Sequence, residues 1–368
     1  MKRSDFSVMS LFSNPSSVRS ITNGFRSANR SWMMIAGLAF IGVSCGGGPD
    51  ADVLGNWVRA ADLEGVARSQ AAGFSIDNKA YIGTGIDGEN NRLKDFWSYD
   101  PVKNTWTLLA EYPGAARAAG SGFSAGGKGY IGLGSANVTN PTSGRLKDFF
   151  EYDPATNKWT AIADEFPGSA RLSAISFTIG DKGFVGTGYD GNYLNDVYAF
   201  SATTKKWTKA ASFSGPKRRD AVSMVINNVA YVGCGNNNGS RQVDWWSYDP
   251  SADQWTQKLD FTSDQRSSIQ RNYAVTFVLN GLGYLAFGDG NAHLWSYDPK
   301  TDLWTDVQDI SSTSYKYIPT YNRSYAQAFS LKDKDGAEAG YVMTGSSGSI
   351  RLDDNWKFEP KKVRVKAD

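Results

Sequence analysis

Arginine is the residue type whose spacing first suggests chemistry in this sequence. One arginine recurs about every fifty residues, at Arg68, Arg117, Arg171, Arg218, Arg271 and Arg323. The first four each lie 15 residues before a glycine that ends an apolar segment. A guanidinium presents planar N–H donors that match the two oxygens of a carboxylate. These six residues are therefore candidate ligand-binding residues for an anion.

An aspartate in the same repeats offers a structural explanation for the arginines. It opens an aromatic segment in five repeats, at Asp95, Asp148, Asp196, Asp244 and Asp354. Buried like charges need partners, so each arginine could pair with the aspartate of its own repeat. In the fifth repeat His293 replaces the aspartate, which leaves Arg271 without its expected acid. Arg271, His293 and nearby Asn272 are thus the first choice for an anion site.

The sequence contains few residues that suit other kinds of catalysis. His293 is the only histidine, so a Ser/His/Asp triad or a histidine-rich metal site is not expected. Cys234 fits a small core residue. We expect no cofactor and no metal. A single carboxylate such as Asp87 or Asp190 could still act as an acid or base.

Tyrosines in the connecting segments are candidates for stacking against a sugar. Residues 311–322 contain Tyr315, Tyr317 and Tyr321, and an earlier segment contains Tyr189 and Tyr193. The alternative is that the tyrosine-rich segment packs on the rim of the fold.

Composition limits the class of protein. Lys and Arg number 39 against 37 Asp and Glu, so no strong basic field would attract nucleic acid. Aromatic residues make up 13% of the chain and glycines number 39, which suits many short strands joined by tight turns. The sequence therefore predicts an all-β protein.

The first 44 residues resemble a bacterial lipoprotein signal. Residues 32–44 form an apolar run too short for a membrane span, and Cys45 follows Ser44. We predict lipidation at Cys45, a tether at 45–54 and a location on the periplasmic or surface side of a bacterial membrane, most often the outer one. Gly42 departs from the usual leucine, so an ordinary cleaved signal remains the alternative.

The rest of the chain repeats with a period typical of propellers. Each repeat contains an apolar strand, a Gly-x-Gly strand or its remnant, an aromatic strand and a strand that begins with tryptophan. Six tryptophans mark the last strand: Trp57, Trp106, Trp159, Trp207, Trp255 and Trp304. In four repeats Tyr-Asp-Pro supplies the turn before it.

These coinciding motifs resemble the Kelch repeat over residues 55–360. The resemblance implies a six-bladed β-propeller, in which the N-terminal strand at 55–60 completes the last blade and residues 361–368 form a tail. The first strand of each blade would be innermost, so the six arginines would ring the mouth of the central channel. The loops between strands 2 and 3 would share that face.

The resemblance favours binding over catalysis. Galactose oxidase is a Kelch protein, but its copper site needs histidine ligands that this chain lacks. We expect a monomeric binding module for a glycan or protein partner in the cell envelope, touching the membrane only through its lipid anchor. One alternative is a mutarotase or epimerase, since the exported N-acetylneuraminate epimerases are similar propellers. The other is a structural part of an envelope complex.

Overall fold

The first strand pairs with the last, and this pairing closes the fold. The computed structural model describes residues 53–137, 143–289, 291–316, 319 and 322–367. In it β1 (Leu54–Ala60) lies antiparallel to β29 (Asn355–Val363), with Trp57 opposite Phe358. The signal segment, Cys45, Tyr317 and Tyr321 lie outside the described residues.

Five four-stranded antiparallel sheets, here called blades 1 to 5, each use consecutive strands. Blade 1 contains β2 (Ala72–Ile76), β3 (Lys79–Gly83), β4 (Phe96–Asp100) and β5 (Thr105–Leu108). Blade 2 contains β6 (Ser121–Ala125), β7 (Lys128–Gly132), β8 (Phe149–Asp153) and β9 (Lys158–Ala161). Blade 3 contains β10 (Ile175–Ile179), β11 (Lys182–Gly186), β12 (Val197–Ser201) and β13 (Lys206–Ala210).

Blades 4 and 5 add short elements to the same plan. Blade 4 contains β14 (Val222–Ile226), β15 (Val229–Gly233), the loop hairpin β16 (Asn236–Asn237) and β17 (Ser240–Arg241), then β18 (Trp245–Asp249) and β19 (Gln254–Gln257). Helix α1 (Ser263–Ile269) precedes blade 5, which contains β20 (Val275–Leu279), β21 (Leu282–Ala286), β22 (His293–Asp298) and β23 (Leu303–Asp309).

Blade 6 combines both ends of the described chain. Its order is β25 (Gln327–Lys332), β26 (Glu338–Met343), β29 and β1. Three short strands lie in its loops: β24 (Arg323–Ser324), β27 (Ser346–Ser347) and β28 (Ile350–Arg351). Strand β29 continues to Val363, and the Arg364 amide then donates to the Val53 carbonyl at 2.8 Å.

The innermost strands of the blades contact one another in a closed cycle. The contacts run β2–β6–β10–β14–β20–β25 and return to β2. The predicted propeller, closed by the N-terminal strand, is confirmed. No described helix is long and apolar enough to span a membrane.

Aromatic side chains fill the space between neighbouring blades. Phe96 of blade 1 is fully buried, and its ring lies 4.8 Å from the rings of both Tyr152 and Trp159 in blade 2. Glycine is required where these rings press closest. A Cβ on Gly129 would lie 1.9 Å from Phe74, which explains why glycine precedes the aromatic residue of β7. The predicted aromatic stripes therefore form the core.

The tryptophan of each outer strand also joins its blade to the preceding one. Indole N–H groups donate across the seams from Trp106 to the Ala61 carbonyl at 2.8 Å and from Trp159 to the Ala110 carbonyl at 2.9 Å. At the closing seam, Trp57 donates to Gln308 Oε1 at 3.1 Å, and Gln308 donates back to the Gly55 carbonyl at 3.0 Å. The closing seam thus has an indole hydrogen bond, as do the seams crossed by Trp106, Trp159 and Trp255.

Candidate functional site

The six recurring arginines are structural. Each is fully buried. Five bind the aspartate of their own blade, as in Arg117 with Asp148 at 2.6 Å and Arg218 with Asp244 at 2.7 Å; the other pairs are Arg68–Asp95, Arg171–Asp196 and Arg323–Asp354. We call each such pair the brace of its blade. The pairing proposed from the sequence is confirmed in these five blades.

The expectation that these arginines offer cations at the channel mouth is wrong. Each side chain runs into its blade, where one Nη also donates to the carbonyl between the two Gly-x-Gly positions, as Arg117 does to Leu133 at 3.1 Å. An aromatic ring covers the guanidinium in several blades: Tyr112 lies 4.8 Å from Arg117. Arg68, Arg171, Arg218 and Arg323 are buried in the same way, so no ligand on the surface reaches them.

Blade 5 replaces the missing aspartate with main-chain carbonyls. Arg271 keeps the contacts with the carbonyls of Ile269 and Phe287 at 3.2 and 3.1 Å, which have counterparts in blades 1 to 4. In place of the carboxylate it donates to the carbonyls of Ser268, in the last turn of α1, and of His293 at 3.0 Å. The end of a helix carries partial negative charge, so α1 takes the place of a carboxylate. Burial lowers the pKa of Arg271 to about 10. Arg271 is satisfied internally and is not an anion site.

His293 and Asn272 do not complete a site with Arg271. The His293 imidazole turns outwards, 2.7 Å from Asp306 Oδ2, and only its carbonyl contacts Arg271. The main-chain N–H of Asn272 donates to Asp289 Oδ2 at 2.7 Å. The Asn272 side-chain oxygen is buried without a hydrogen-bond partner among the described residues, and the three residues chosen from the sequence do not converge on one site.

The other candidates lie in structural contacts. The Tyr315 ring is 3.5 Å from the Arg364 guanidinium, so Tyr315 supports the C-terminal segment. Burial would raise the pKa of Asp87, but hydrogen bonds from Asn91 and from main-chain amides hold it below its usual value. Hydrogen bonds from Ser169 and Asn192 lower the pKa of Asp190 in the same way. Neither carboxylate suits acid–base work near neutral pH.

A ring of main-chain hydrogen bonds forms the channel mouth. Six residues, each two positions after one of the six recurring arginines, adopt positive φ, and the main-chain amide of each donates to the carbonyl of another: Gln70, Ala119, Ser173, Asp220, Tyr273 and Tyr325. Their side chains line a cavity of about 140 Å³. The mouth is therefore polar on one side and aromatic on the other.

Asp220 is the buried carboxyl group of this mouth. It lies beside Arg219, whose Nε is 3.1 Å from Asp220 Oδ2, and its carbonyl accepts from the Tyr273 amide. Burial raises the pKa of Asp220 to about 6, even though Ser173 and Arg219 favour the charged form. Tyr273 and Tyr325 stack beside it at 4.0 Å.

A second set of residues bridges the loops around the mouth. Each precedes the strand-3 aspartate or its equivalent by three positions and reaches the next blade. Arg351 donates to Asn90 Oδ1 at 3.1 Å, Arg92 to the Asn137 carbonyl at 2.7 Å, Tyr193 to Asn236 Oδ1 at 2.9 Å and Arg241 to Asp289 Oδ2 at 2.9 Å, while Arg145 lies over the Tyr189 ring at 6.0 Å. Sequence analysis missed the four arginines of this set, although Arg-Leu-Lys-Asp recurs at 92–95 and 145–148, and considered Tyr193 only for stacking.

The side chains of Arg145, Tyr189, Tyr193 and Arg219 form a cluster at the mouth, here called the arginine–tyrosine corner. The Arg219 guanidinium lies 5.0 Å from the Tyr189 ring and 5.8 Å from the Tyr193 ring. Arg145 Nη1 is buried without a hydrogen-bond partner. The two cations are held by aromatic rings and not by carboxylates, apart from the contact of Arg219 with Asp220. This arrangement can bind an anion.

Known proteins resemble this chain in repeat and in fold. A model of the KLHDC2/KLHL20/DRC7 Kelch-repeats domain matches residues 163–334, and a Kelch motif model matches residues 67–111. Kelch-like protein 25 of Xenopus tropicalis is 26% identical over 204 residues, which cover 54% of this chain and 34% of that protein. The chain thus matches about a third of this curated relative's length.

One solved structure, titled "Structure of YjhT", superposes with a TM-score of 0.63. It is 14% identical in sequence, and the match covers 80% of this chain and 95% of that one. At this identity the likeness concerns the fold alone.

Proposed function

Because this chain is a Kelch-repeat β-propeller, we propose that it is a binding module whose channel mouth captures a glycan or protein ligand through the ligand's carboxylate groups. The rigid ring of blades holds the loops, as is common for binding sites built on loops. The observation that carries the proposal is the arginine–tyrosine corner, where two partly exposed guanidiniums lie against tyrosine rings and where Arg145 Nη1 and Arg219 Nε lack hydrogen-bond partners among the described residues.

The charges around the mouth favour an acidic ligand. Among the described residues, Arg351, Arg92 and Arg145 have no carboxylate within ion-pair distance, although they lie on the consecutive blades 6, 1 and 2. Arg241 in blade 4 is the contrasting case, since Asp289 neutralises it locally. Positive charge is therefore concentrated on one side of the mouth, which raises the local concentration of anions.

The tyrosine rings of the mouth are poor platforms for a neutral sugar. Guanidiniums lie against Tyr189 and Tyr193, and Tyr273 and Tyr325 stack on each other. Stacking of a sugar would need a free ring face. The tyrosines instead orient the arginines, which again favours recognition of charge.

We also propose that the protein is exported and attached to a bacterial envelope membrane through a lipid on Cys45. The support is the apolar run at 32–44 followed by Ser44 and Cys45. Incorporation of labelled palmitate into the wild-type chain, and its loss in Cys45→Ala, tests this assignment.

The ligand proposal is tested by Arg145→Ala, with Arg241→Ala as the matched control. The two arginines occupy equivalent loop positions, but only Arg241 has a local carboxylate. The probes are N-acetylneuraminic acid, an oligoglucuronate, a neutral glucose oligomer and a glutamate-rich peptide, each measured by calorimetry. Loss of a charged hydrogen bond weakens binding by roughly 10- to 100-fold, so we expect that loss for Arg145→Ala and less than about threefold for Arg241→Ala.

Binding of a neutral oligomer alone, or equal losses in the two variants, would contradict recognition of a carboxylate at the corner. Binding of the peptide but not of the sugars would assign a protein partner, and the reverse result a glycan.

Asp220 supports a second candidate function, a sugar mutarotase or epimerase. A general acid or base works best when its pKa lies near the working pH, and burial brings the pKa of Asp220 to about 6 at the mouth. Arg219 beside it could hold a sugar carboxylate. This pair replaces Asp87 and Asp190, the carboxylates considered from the sequence.

Anomer interconversion of N-acetylneuraminic acid, followed by NMR, tests the second candidate. We expect Asp220→Asn to lose most of any acceleration, roughly 100-fold or more, while leaving the affinity within a few fold. A wild-type rate equal to that of buffer alone rules out this activity for the sugar tested.

A further inference from the structure

Exposed aliphatic side chains gather where the first and last strands meet. Leu54, Val363 and Val365 are 53%, 45% and 42% exposed. Leu54 and Val363 are directly paired across β1 and β29, so their side chains share one face of the sheet. Val365 lies two residues beyond Val363, and its carbonyl accepts from the Lys316 amide at 2.9 Å. We call Leu54, Val363, Val365 and the neighbouring Val53 the terminal patch.

Lysines border the terminal patch. Lys361 and Lys362 directly precede Val363 in β29, and exposed Lys332 lines the same cleft as these two lysines. None of these three has an ion pair among the described residues. The nearby acids are engaged elsewhere: Asp333 and Glu359 bind Lys357, Asp335 binds Lys334, and Glu338 accepts from the Asn280 amide. The patch therefore combines an apolar centre with exposed lysines that have no ion pair among the described residues.

We propose that the terminal patch docks on a lipid bilayer that contains anionic phospholipids. Interfacial membrane binding combines buried aliphatic side chains with lysines that attract anionic headgroups, and the terminal patch supplies both. The position in the chain fits this occupant. Val53 follows Cys45 by eight positions, and an extended segment of that length reaches at most about 29 Å. A lipid on Cys45 would keep the patch near the membrane.

Docking through the terminal patch would fix the orientation of the propeller. Leu54 pairs with Val363 at the C-terminal end of β29, whereas the loop between strands 2 and 3 of blade 6 leads into the N-terminal end of β29. The channel mouth lies at the other end of the strands, so docking presents the mouth away from the bilayer. This proposal does not depend on the ligand of the mouth, and the patch itself is made of described residues, so it can be tested without lipidation.

The test places an environment-sensitive fluorophore on the patch. A nitrobenzoxadiazole label is attached to Val363→Cys in the full chain carrying Cys45→Ser; the control label is at Ile350→Cys, which is 65% exposed on the loop face. Cys234 is fully buried and should not react in the folded protein. Protein bound to vesicles of phosphatidylcholine, with or without a quarter phosphatidylglycerol, is isolated by flotation.

We expect a blue shift and quenching by brominated lipid at position 363 on the anionic vesicles, and neither at position 350. Lys361→Glu with Lys362→Glu should abolish the shift at 363, because charge reversal repels the headgroups. An unshifted label at 363 in vesicle-bound protein, or equal shifts at both positions, overturns the proposal. A shift that rises with protein concentration in the absence of vesicles also overturns it, and identifies a second copy of the chain as the occupant.

Discussion

Among the described carboxyl groups, Asp220 is the one whose pKa is raised by burial. Its main chain belongs to the hydrogen-bonded ring of the mouth, which fixes the position of its Cα at the channel. The protein therefore keeps a carboxyl group in a position that disfavours its charge. Such positions are common at functional sites, which supports the mouth as the place where ligand chemistry occurs.

The pKa of Asp220 predicts a stability change with pH. A folded pKa of about 6, above the unfolded value near 4, means that folding favours the protonated form. The contribution of Asp220 is greatest below about pH 4 and falls as the pH rises towards 6, by up to about 3 kcal/mol. Asp220→Asn removes this loss. The free energy of unfolding of the variant, measured with urea from pH 4 to 7, should therefore increase relative to that of the wild type as the pH rises. A constant difference across this range would contradict the raised pKa.

At the scale of single elements, the brace shows how one interaction is built in two ways. Five blades use an aspartate at the start of strand 3, and blade 5 uses the carbonyls of Ser268, in the last turn of α1, and of His293. Helix α1 occurs where the aspartate is missing, which gives this insertion a structural reason. His293, which occupies the aspartate position in the sequence, is free to turn outwards because Arg271 does not need its side chain.

This difference predicts unequal effects of two equivalent substitutions. Asp244→Asn keeps the shape of the side chain but leaves the Arg218 charge buried and unpaired, and should cost about 3 to 5 kcal/mol in the free energy of unfolding. His293→Asn removes a half-exposed pair with Asp306 and should cost less than about 1 kcal/mol. Urea denaturation of both variants is the measurement. Similar costs would mean that blade 5 also depends on its strand-3 side chain.

At the scale of the whole molecule, stability depends on closing the ring. Strand β1 is the outermost strand of blade 6, and Trp57 buries its ring against Phe287 of blade 5 and Phe358 of β29. A closed ring leaves no blade without a neighbour. One tryptophan near the N-terminus therefore contributes to the packing of two blades that are distant in sequence.

Trp57→Ala should lower the free energy of unfolding by about 3 to 5 kcal/mol, because it empties a buried site at the closing seam. Leu54→Ala, at an exposed position of the same strand, should cost less than about 0.5 kcal/mol. Both are measured by urea denaturation. A small effect of Trp57→Ala would show that the ring holds together without its N-terminal strand.

The sequence by itself determined the repeat, the strand order and the closure, because these follow from local patterns. Alternating aromatic residues, Gly-x-Gly and Tyr-Asp-Pro each act within one blade, and six copies reinforce the interpretation. The Arg–Asp brace could also be predicted, since both partners recur at fixed positions in each repeat.

Only the tertiary structure decided which side chains reach solvent. The direction of Arg117 and its counterparts into the blades, the bridges from Arg92 and Arg145 to the next blade, and the replacement of an aspartate by α1 depend on how neighbouring blades pack. The terminal patch likewise exists because strands some three hundred residues apart in the chain lie side by side. The repeat pattern does not show which side chains face one another between blades or reach the surface, so the mouth and the patch became visible only in three dimensions.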